Sequence, residues 1–187
     1  AGNLKASGTT RNYEWDHSNQ LRAYYNQTGT NEPSVYAHYL YDGSGNRVKK
    51  LVRTQGGDYE TTVYIDSAFE YHYKEQNSNT YEKNYCHLTD GSGRIAMIRY
   101  GTAFPDDISN TEVYNLEDHL GSSSVRLDIN GAVIDKEEYY PFGDSSLRTF
   151  DKKRYRFTGK EKDSESGLYY FGARYYAAWT CRFISVD

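Results

Sequence analysis

The sequence predicts an all-β chain, and three observations carry that prediction. Short runs alternate between apolar and polar residues, Asp-Gly turn signals fall between them at near-regular intervals, and no stretch carries a helical stripe of three or four turns.

The runs come first in the argument. Tyr36-Ala37-His38-Tyr39-Leu40-Tyr41, Arg47-Val48-Lys49-Lys50-Leu51-Val52 and Thr61-Thr62-Val63-Tyr64-Ile65 have the period and the β-branched and aromatic content of strands. Tyr13-Glu14-Trp15-Asp16 returns as Tyr39-Leu40-Tyr41-Asp42 and as Tyr64-Ile65-Asp66, while Asp90-Gly91-Ser92-Gly93-Arg94 restates Asp42-Gly43-Ser44-Gly45-Asn46-Arg47. The aspartates fall at 16, 42, 66 and 90, with spacings of 26, 24 and 24. A period in this range marks repeated units that bury their faces by stacking on their neighbours, and each unit here reads as a hairpin or a pair of strands. The Asp-Gly-Ser-Gly segments supply residues that accept positive φ and bond their own backbone. Gln76-Asn77-Ser78-Asn79-Thr80 and the stretch 101–110 read as longer loops. Further on, Val125-Arg126-Leu127-Asp128 and Ala132-Val133-Ile134 flank Asn130-Gly131, a strong hairpin signal.

Composition fits such sheets. Hydrophobic residues make up only 37% and the mean hydropathy is -0.91, but 21 Tyr, 7 Phe and 2 Trp supply buried area with polar tips that can stay wet or hydrogen-bonded. The net charge of -4, with basic residues scattered among acids, excludes nucleic acid as a principal partner. No apolar run approaches the roughly 18 residues of a membrane span, so no membrane insertion by this segment is expected. Cys86 and Cys181 lack CxxC spacing; they read as one long-range disulfide or as two free, partly buried thiols.

The last third is the most specific. Tyr114-Asn115-Leu116-Glu117-Asp118-His119-Leu120-Gly121-Ser122 leads into Tyr140-Pro141-Phe142-Gly143, then Tyr155-Arg156-Phe157-Thr158-Gly159-Lys160-Glu161-Lys162-Asp163, Gly167-Leu168-Tyr169-Tyr170 and Arg182-Phe183-Ile184-Ser185-Val186-Asp187. These residues resemble the core domain that ends the repeat region of Rhs/YD-repeat proteins, and Gly2-Asn3-Leu4 with Tyr13-Glu14-Trp15-Asp16 resembles a YD repeat. The resemblance implies YD/Rhs repeats over 1–113 and an Rhs repeat-associated core over 114–187. It also implies a β-ribbon spiralling into a hollow shell, with the core as its cap.

In the toxin-complex C components that share this core, the resemblance further implies an aspartyl autoprotease cutting a few residues past the final aspartate. The family's Gly-x-x-x-Asp reads here as Gly159 to Asp163, and its Arg-Phe-x-Ser-x-Asp as Arg182 to Asp187. Asp163 and Asp187 are thus the candidate catalytic pair, and Arg156 the guanidinium that would fix one carboxylate or polarise the scissile carbonyl. Two carboxylates brought together cannot both ionise easily, so one keeps a proton and the other acts as base. Asp163 before Ser164-Glu165-Ser166-Gly167 also fits a turn-closing aspartate. Ala177-Ala178-Trp179-Thr180-Cys181 departs from the Asp-Pro and Gly of many relatives.

Other constellations carry less. Asp118, His119 and Ser122 to Ser124 lack a nucleophile elbow and read as fold closure, with His119 hydrogen-bonded in the core. His17, His38, His72 and His87 lie singly in different repeats, so no metal site is read from them. Asp42-Gly43-Ser44-Gly45-Asn46 lacks the carboxylates of a calcium loop. Arg174 is expected to pack by cation–π contacts with its flanking tyrosines.

The leading expectation is a shell segment and end cap of an exported bacterial toxin, secreted or displayed at the cell surface. Its partners would be its own C-terminal effector, the remaining YD-repeat shell and a delivery machine, and no cofactor is implied. The alternative is a non-catalytic cell-surface or adhesion module built of YD repeats.

Overall fold

Hairpin follows hairpin along a single meander. The structure, a computed structural model, describes residues 2–91, 93–150 and 152–186. Its long sheet takes thirteen strands in chain order. The first five are β1 (Ala6–Ser7), β2 (Arg11–Trp15), β3 (Leu21–Asn26), β4 (Val35–Tyr41) and β5 (Arg47–Thr54). Then come β6 (Tyr59–Ile65), β7 (Phe69–Gln76), β8 (Asn79–Thr89) and β9 (Arg94–Gly101). The last are β10 (Glu112–Glu117), β11 (Ser123–Leu127), β12 (Val133–Tyr139) and β13 (Ser145–Arg148). Every pair is antiparallel, and β10 pairs with both β9 and β11, so the sheet runs without a break through residues 113 and 114. Among the described residues there is no α-helix, only 3-10 turns at Phe157–Gly159 and Ala178–Thr180.

The repeated aspartates close the turns. Asp16 Oδ1 accepts hydrogen bonds from the amides of Ser18 at 2.8 Å and Gln20 at 2.9 Å. Asp42, Asp118 and Asp128 do the same for the amides two and four residues on. Three residues after each aspartate the backbone enters the left-handed region, at Asn19, Gly45, Gly121 and Gly131. Asn and Gly are the residues that tolerate that conformation, which explains the Asp-x-x-Gly spacing.

Each of these turns is followed by a β-bulge. On β5, Arg47 faces Tyr41 and Lys49 faces Leu40, leaving Val48 as the extra residue. Arg22, Ser124 and Ile134 occupy the same place after the turns at Asp16, Asp118 and Asp128. A bulge resets the two-residue alternation, so side chains three apart come to share one face. Hence Leu21 and Tyr24, Arg47 and Lys50, and Ser123 and Arg126 are all buried together.

The buried face changes character along the sheet. Over β2 to β4 it is apolar and aromatic, with Tyr13, Leu21, Ala23, Tyr24, Ala37 and Tyr39. From β5 onward it carries Arg47, Lys50, Glu70, His72, Lys83, His87, Arg126, Asp135 and Glu137. Both parts are covered by the chain from 152 to 186, which returns over the sheet and folds into four short strands. These are β14 (Glu161–Lys162), β15 (Tyr169–Tyr170), β16 (Tyr175–Ala177) and β17 (Arg182–Phe183). Leu168, Tyr175, Ala177 and Ile184 complete the apolar core against β2 to β4. The segment also reaches both ends of the meander: the Leu4 amide donates to Ile184 O at 2.8 Å, and the Tyr169 hydroxyl to Gly143 O at 3.0 Å.

Candidate functional site

Where the terminal segment crosses β5, the contact is ionic. Asp163 is fully buried, at 0% exposure, and both its oxygens are taken: Arg47 Nη1 lies 2.7 Å from Oδ2 and Lys50 Nζ 2.7 Å from Oδ1. Arg47 Nη2 also donates to Glu161 Oε2 at 2.6 Å, and the Tyr64 hydroxyl to the same oxygen at 2.9 Å. The Arg47 guanidinium stacks 4.3 Å from the ring centroid of Tyr170. Burial acts to raise the Glu161 carboxyl, but Lys50, Arg47 and Arg154 outweigh it and hold it well below the usual range. Asp163 therefore does not close its own turn with its carboxylate. Its backbone does so, donating to Leu168 O and accepting from the Gly167 amide.

Glu165 completes the group. Its Oε1 accepts from the Tyr39 hydroxyl at 2.9 Å, and its Oε2 lies 3.7 Å from Lys50 Nζ. That separation is too long for a hydrogen bond, and Oε2 has no such partner.

A second ionic contact centres on Glu70 of β7. Burial works to raise its carboxyl, yet Arg154 and the imidazoles of His72 and His87 hold it well below the usual range. His72 Nε2 is 2.9 Å from Oε2 and His87 Nε2 3.2 Å from Oε1, while Arg154 and the Tyr155 hydroxyl bond the same carboxylate. The expectation that the histidines lie singly is thus corrected for this pair. Antiparallel pairing of β7 with β8 brings His72 and His87 to one buried face, and burial lowers both, His72 to about 4.

Arg156 belongs to a third contact. It forks onto Glu137 with Nε at 2.8 Å and is bonded there by Nη2 as well, and Ser145 and Lys153 share the cluster. Arg156 and Asp163 line one open cavity of about 490 Å³, but the ion pairs of Asp163 are with Arg47 and Lys50. Asp187 lies outside the described residues.

Other expectations meet corrections. His119 is exposed rather than buried, because the turn closed by Asp118 carries it to the loop tip. Ser122 Oγ accepts from the Thr158 amide, so neither it nor Asp118 is aimed at His119. Cys86 and Cys181 are both free thiols, the first half-buried and the second exposed rather than partly buried. Cys181 sits at φ +56°, a left-handed position that favours glycine. Arg174 packs over Phe183, 4.0 Å from its centroid.

Sequence reasoning missed Arg47, Lys50, Glu161, Glu70 and Arg154. Charged residues in alternating strands read as a solvated face. The available signal was the placement of Arg47 just past an Asp42 turn, where a bulge redirects it inward.

No family model matches the chain. It is 31% identical over 160 residues to toxin subunit YenC1 of Yersinia entomophaga, a match that covers 80% of this chain and 16% of that protein. It is 30% identical over 161 residues to salivary gland surface protein 1 of Aedes aegypti, covering 79% of this chain and 4% of that one. Among solved structures, TcdB2-TccC3 without its hypervariable C-terminal region superposes with a TM-score of 0.88 at 26% identity, over 100% of this chain and 9% of that one. The chain thus spans about a sixth, or less, of the length of these relatives. Aspartate-closed turns repeated along a meander, a C-terminal segment folded over it and these likenesses together make the chain a member of the Rhs/YD-repeat family, similar to the C component of toxin complexes.

Proposed function

We propose that this chain is wall and end segment of a hollow β-shell that encloses a C-terminal effector of a secreted toxin, with repeats over 1–113 and the core over 114–187. One observation carries the reading: the terminal segment is fastened to the wall by buried ions centred on Asp163. Such a fastening keeps a closing segment in place while chain beyond it is handled inside. The partners under this reading are the effector, the rest of the shell and a delivery machine.

The core also cuts the chain past Asp187. Asp163, paired on its two oxygens with Arg47 and Lys50, and Asp187 are the acid pair, one acting as base on the attacking water and the other polarising the scissile carbonyl. Arg156, on the wall of the same cavity, adds positive potential there. Denaturing electrophoresis with intact mass on the full-length parent tests this, beside Asp163→Asn and Asp187→Asn variants whose fold is checked by resistance to limited proteolysis. Cleavage beyond Asp187 in the wild type and in neither variant is the expected result.

A second reading, a non-catalytic surface module, is favoured by one feature: both oxygens of Asp163 are already engaged, as in a structural ion pair. Full-length parent that stays uncut moves this reading ahead.

A further inference from the structure

Glu70 joins two parts of the chain on one buried carboxylate. From the sheet, His72 Nε2 of β7 lies 2.9 Å from Oε2 and His87 Nε2 of β8 lies 3.2 Å from Oε1. From the terminal segment, Arg154 Nη2 bonds Oε2 and the Tyr155 hydroxyl bonds Oε1. The Tyr155 ring also stands edge-on to His87, with centroids 5.3 Å apart. This is a second fastening of the segment to the wall, linked to the one at Asp163 by Glu161, which takes Arg154 at 3.2 Å and Arg47 at 2.6 Å.

The groups around the two imidazoles come from every neighbouring element. Facing His72 are Glu70 on its own strand, Thr62 on β6, Lys83 and Tyr85 on β8, Phe104, and Arg154. The small chamber beside it is lined also by Glu60, Asp107, Arg94, Arg126, Lys152 and Lys153, and Lys83 is paired with Asp107. Facing His87 are Glu70, Tyr85, Arg94 on β9, Arg154 and Tyr155. A proton on either ring therefore sets a second cation on the carboxylate that Arg154 already occupies. Of these cations Arg154 has the route to water: its side chain is 18% exposed, against 1% for each histidine. Burial and Arg154 both push the imidazoles toward the neutral form, so departure of Arg154 makes each easier to protonate, and protonation in turn favours that departure.

We propose that Glu70, His72 and His87 form an acid-operated latch, in which protonated imidazoles take over the carboxylate and Arg154 and Tyr155 lift from β7 and β8. Glu161 stays ionised at pH 5, since Lys50, Arg47 and Arg154 outweigh its burial and hold it well below the usual range, so its pair with Arg47 on β5 survives. Opening is thereby confined to the chain around Arg154. The inference concerns how the segment is fastened and is independent of self-cleavage.

Amide hydrogen exchange on full-length parent tests this, read by mass spectrometry at pH 7.5, 6.5, 5.5 and 5, with each rate corrected for the pH dependence of free-chain exchange. Peptides within 152–162 report the latch, and peptides of β2 to β4 report the fold. The Tyr155–Glu161 bridge and the bond from the Lys162 amide to Arg154 O close a short two-stranded turn, which does not persist in water once off the sheet. The return of His72 from about 4 to its ordinary 6.5 favours the open form roughly 30-fold at pH 5, and His87 acts in the same direction. Protection in 152–162 should thus fall about 30-fold or more between pH 7.5 and 5, with β2 to β4 unchanged. His72→Gln combined with His87→Gln keeps donors for Glu70 that do not titrate, and should remove that fall. If the double variant loses protection in β2 to β4, Arg154→Gln decides: it should be open over 152–162 already at pH 7.5 and respond less to pH. A wild type flat across the range, or a full pH response in the double variant or in Arg154→Gln, would overturn the latch. Equal loss in β2 to β4 of the wild type would overturn it too, marking unfolding of the whole sheet.

Discussion

Arg47 and Asp163, 116 positions apart in sequence, meet at 2.7 Å where the terminal segment lies on β5, and neither is open to solvent. The pairing depends on the bulge at Val48, which turns Arg47 to the face that Lys50 already occupies. A bond of this kind is expensive to break from one side, because the remaining charge stays buried and uncompensated.

Arg47→Ala should therefore destabilise the fold by about 3–5 kcal/mol, read from denaturant unfolding. Replacing the ions together by apolar residues of similar volume, as in Arg47→Met with Asp163→Leu, should recover much of that loss, since the two desolvation costs vanish together. A single and a double variant of equal stability would contradict the ionic origin of the contact.

Stability should fall as pH drops from about 6.5 to about 4. His72 has its folded value lowered from 6.5 to about 4 by burial, so the unfolded chain binds the proton first and acidification favours unfolding across that window. The shift corresponds to about 3 kcal/mol at its full extent. Glu70 and Glu161, held below the usual carboxylate value of 4.5, add a further loss once the pH passes below it, because their stabilisation is present above that value and disappears as they protonate. Melting temperature against pH should show the fall, and His72→Gln should flatten its portion between 6.5 and 4.

Turn closure predicts a different kind of loss. Asp16→Ala leaves the Ser18 and Gln20 amides without their acceptor and should cost about 1–2 kcal/mol in thermal or denaturant unfolding. Asp16→Asn, whose amide oxygen can accept the same bonds, should cost distinctly less.

The β-architecture was legible because its signals are local. Alternating runs that end in aspartate, Asp-x-x-Gly turns and the Asn130-Gly131 hairpin each specify a few neighbouring residues, and the aspartates at 16, 42 and 90 do close turns, whereas Asp66 itself takes the left-handed conformation and accepts from the Ser67 amide. The resemblance singled out Asp163 for catalysis, whereas its buried pairing with Arg47 and Lys50 was not foreseen. What escaped notice was long-range: the inward turn of Arg47 depends on a one-residue bulge, and the meeting of His72 with His87 depends on the register of β7 against β8. His119 was misplaced for the opposite reason, since its neighbours Asp118 and Ser122 spend their polar groups on backbone amides and leave it at the tip.

The fastening of the terminal segment is tested most directly by amide hydrogen exchange, read by mass spectrometry over peptides spanning 153–177 and over strands β7 to β9 in full-length parent with and without Arg47→Ala. If buried ions hold the segment to the wall, the variant should lose protection in 153–177 by tenfold or more, roughly, while β7 to β9 keep theirs. Equal loss in both regions, or protection of 153–177 unchanged, would contradict it.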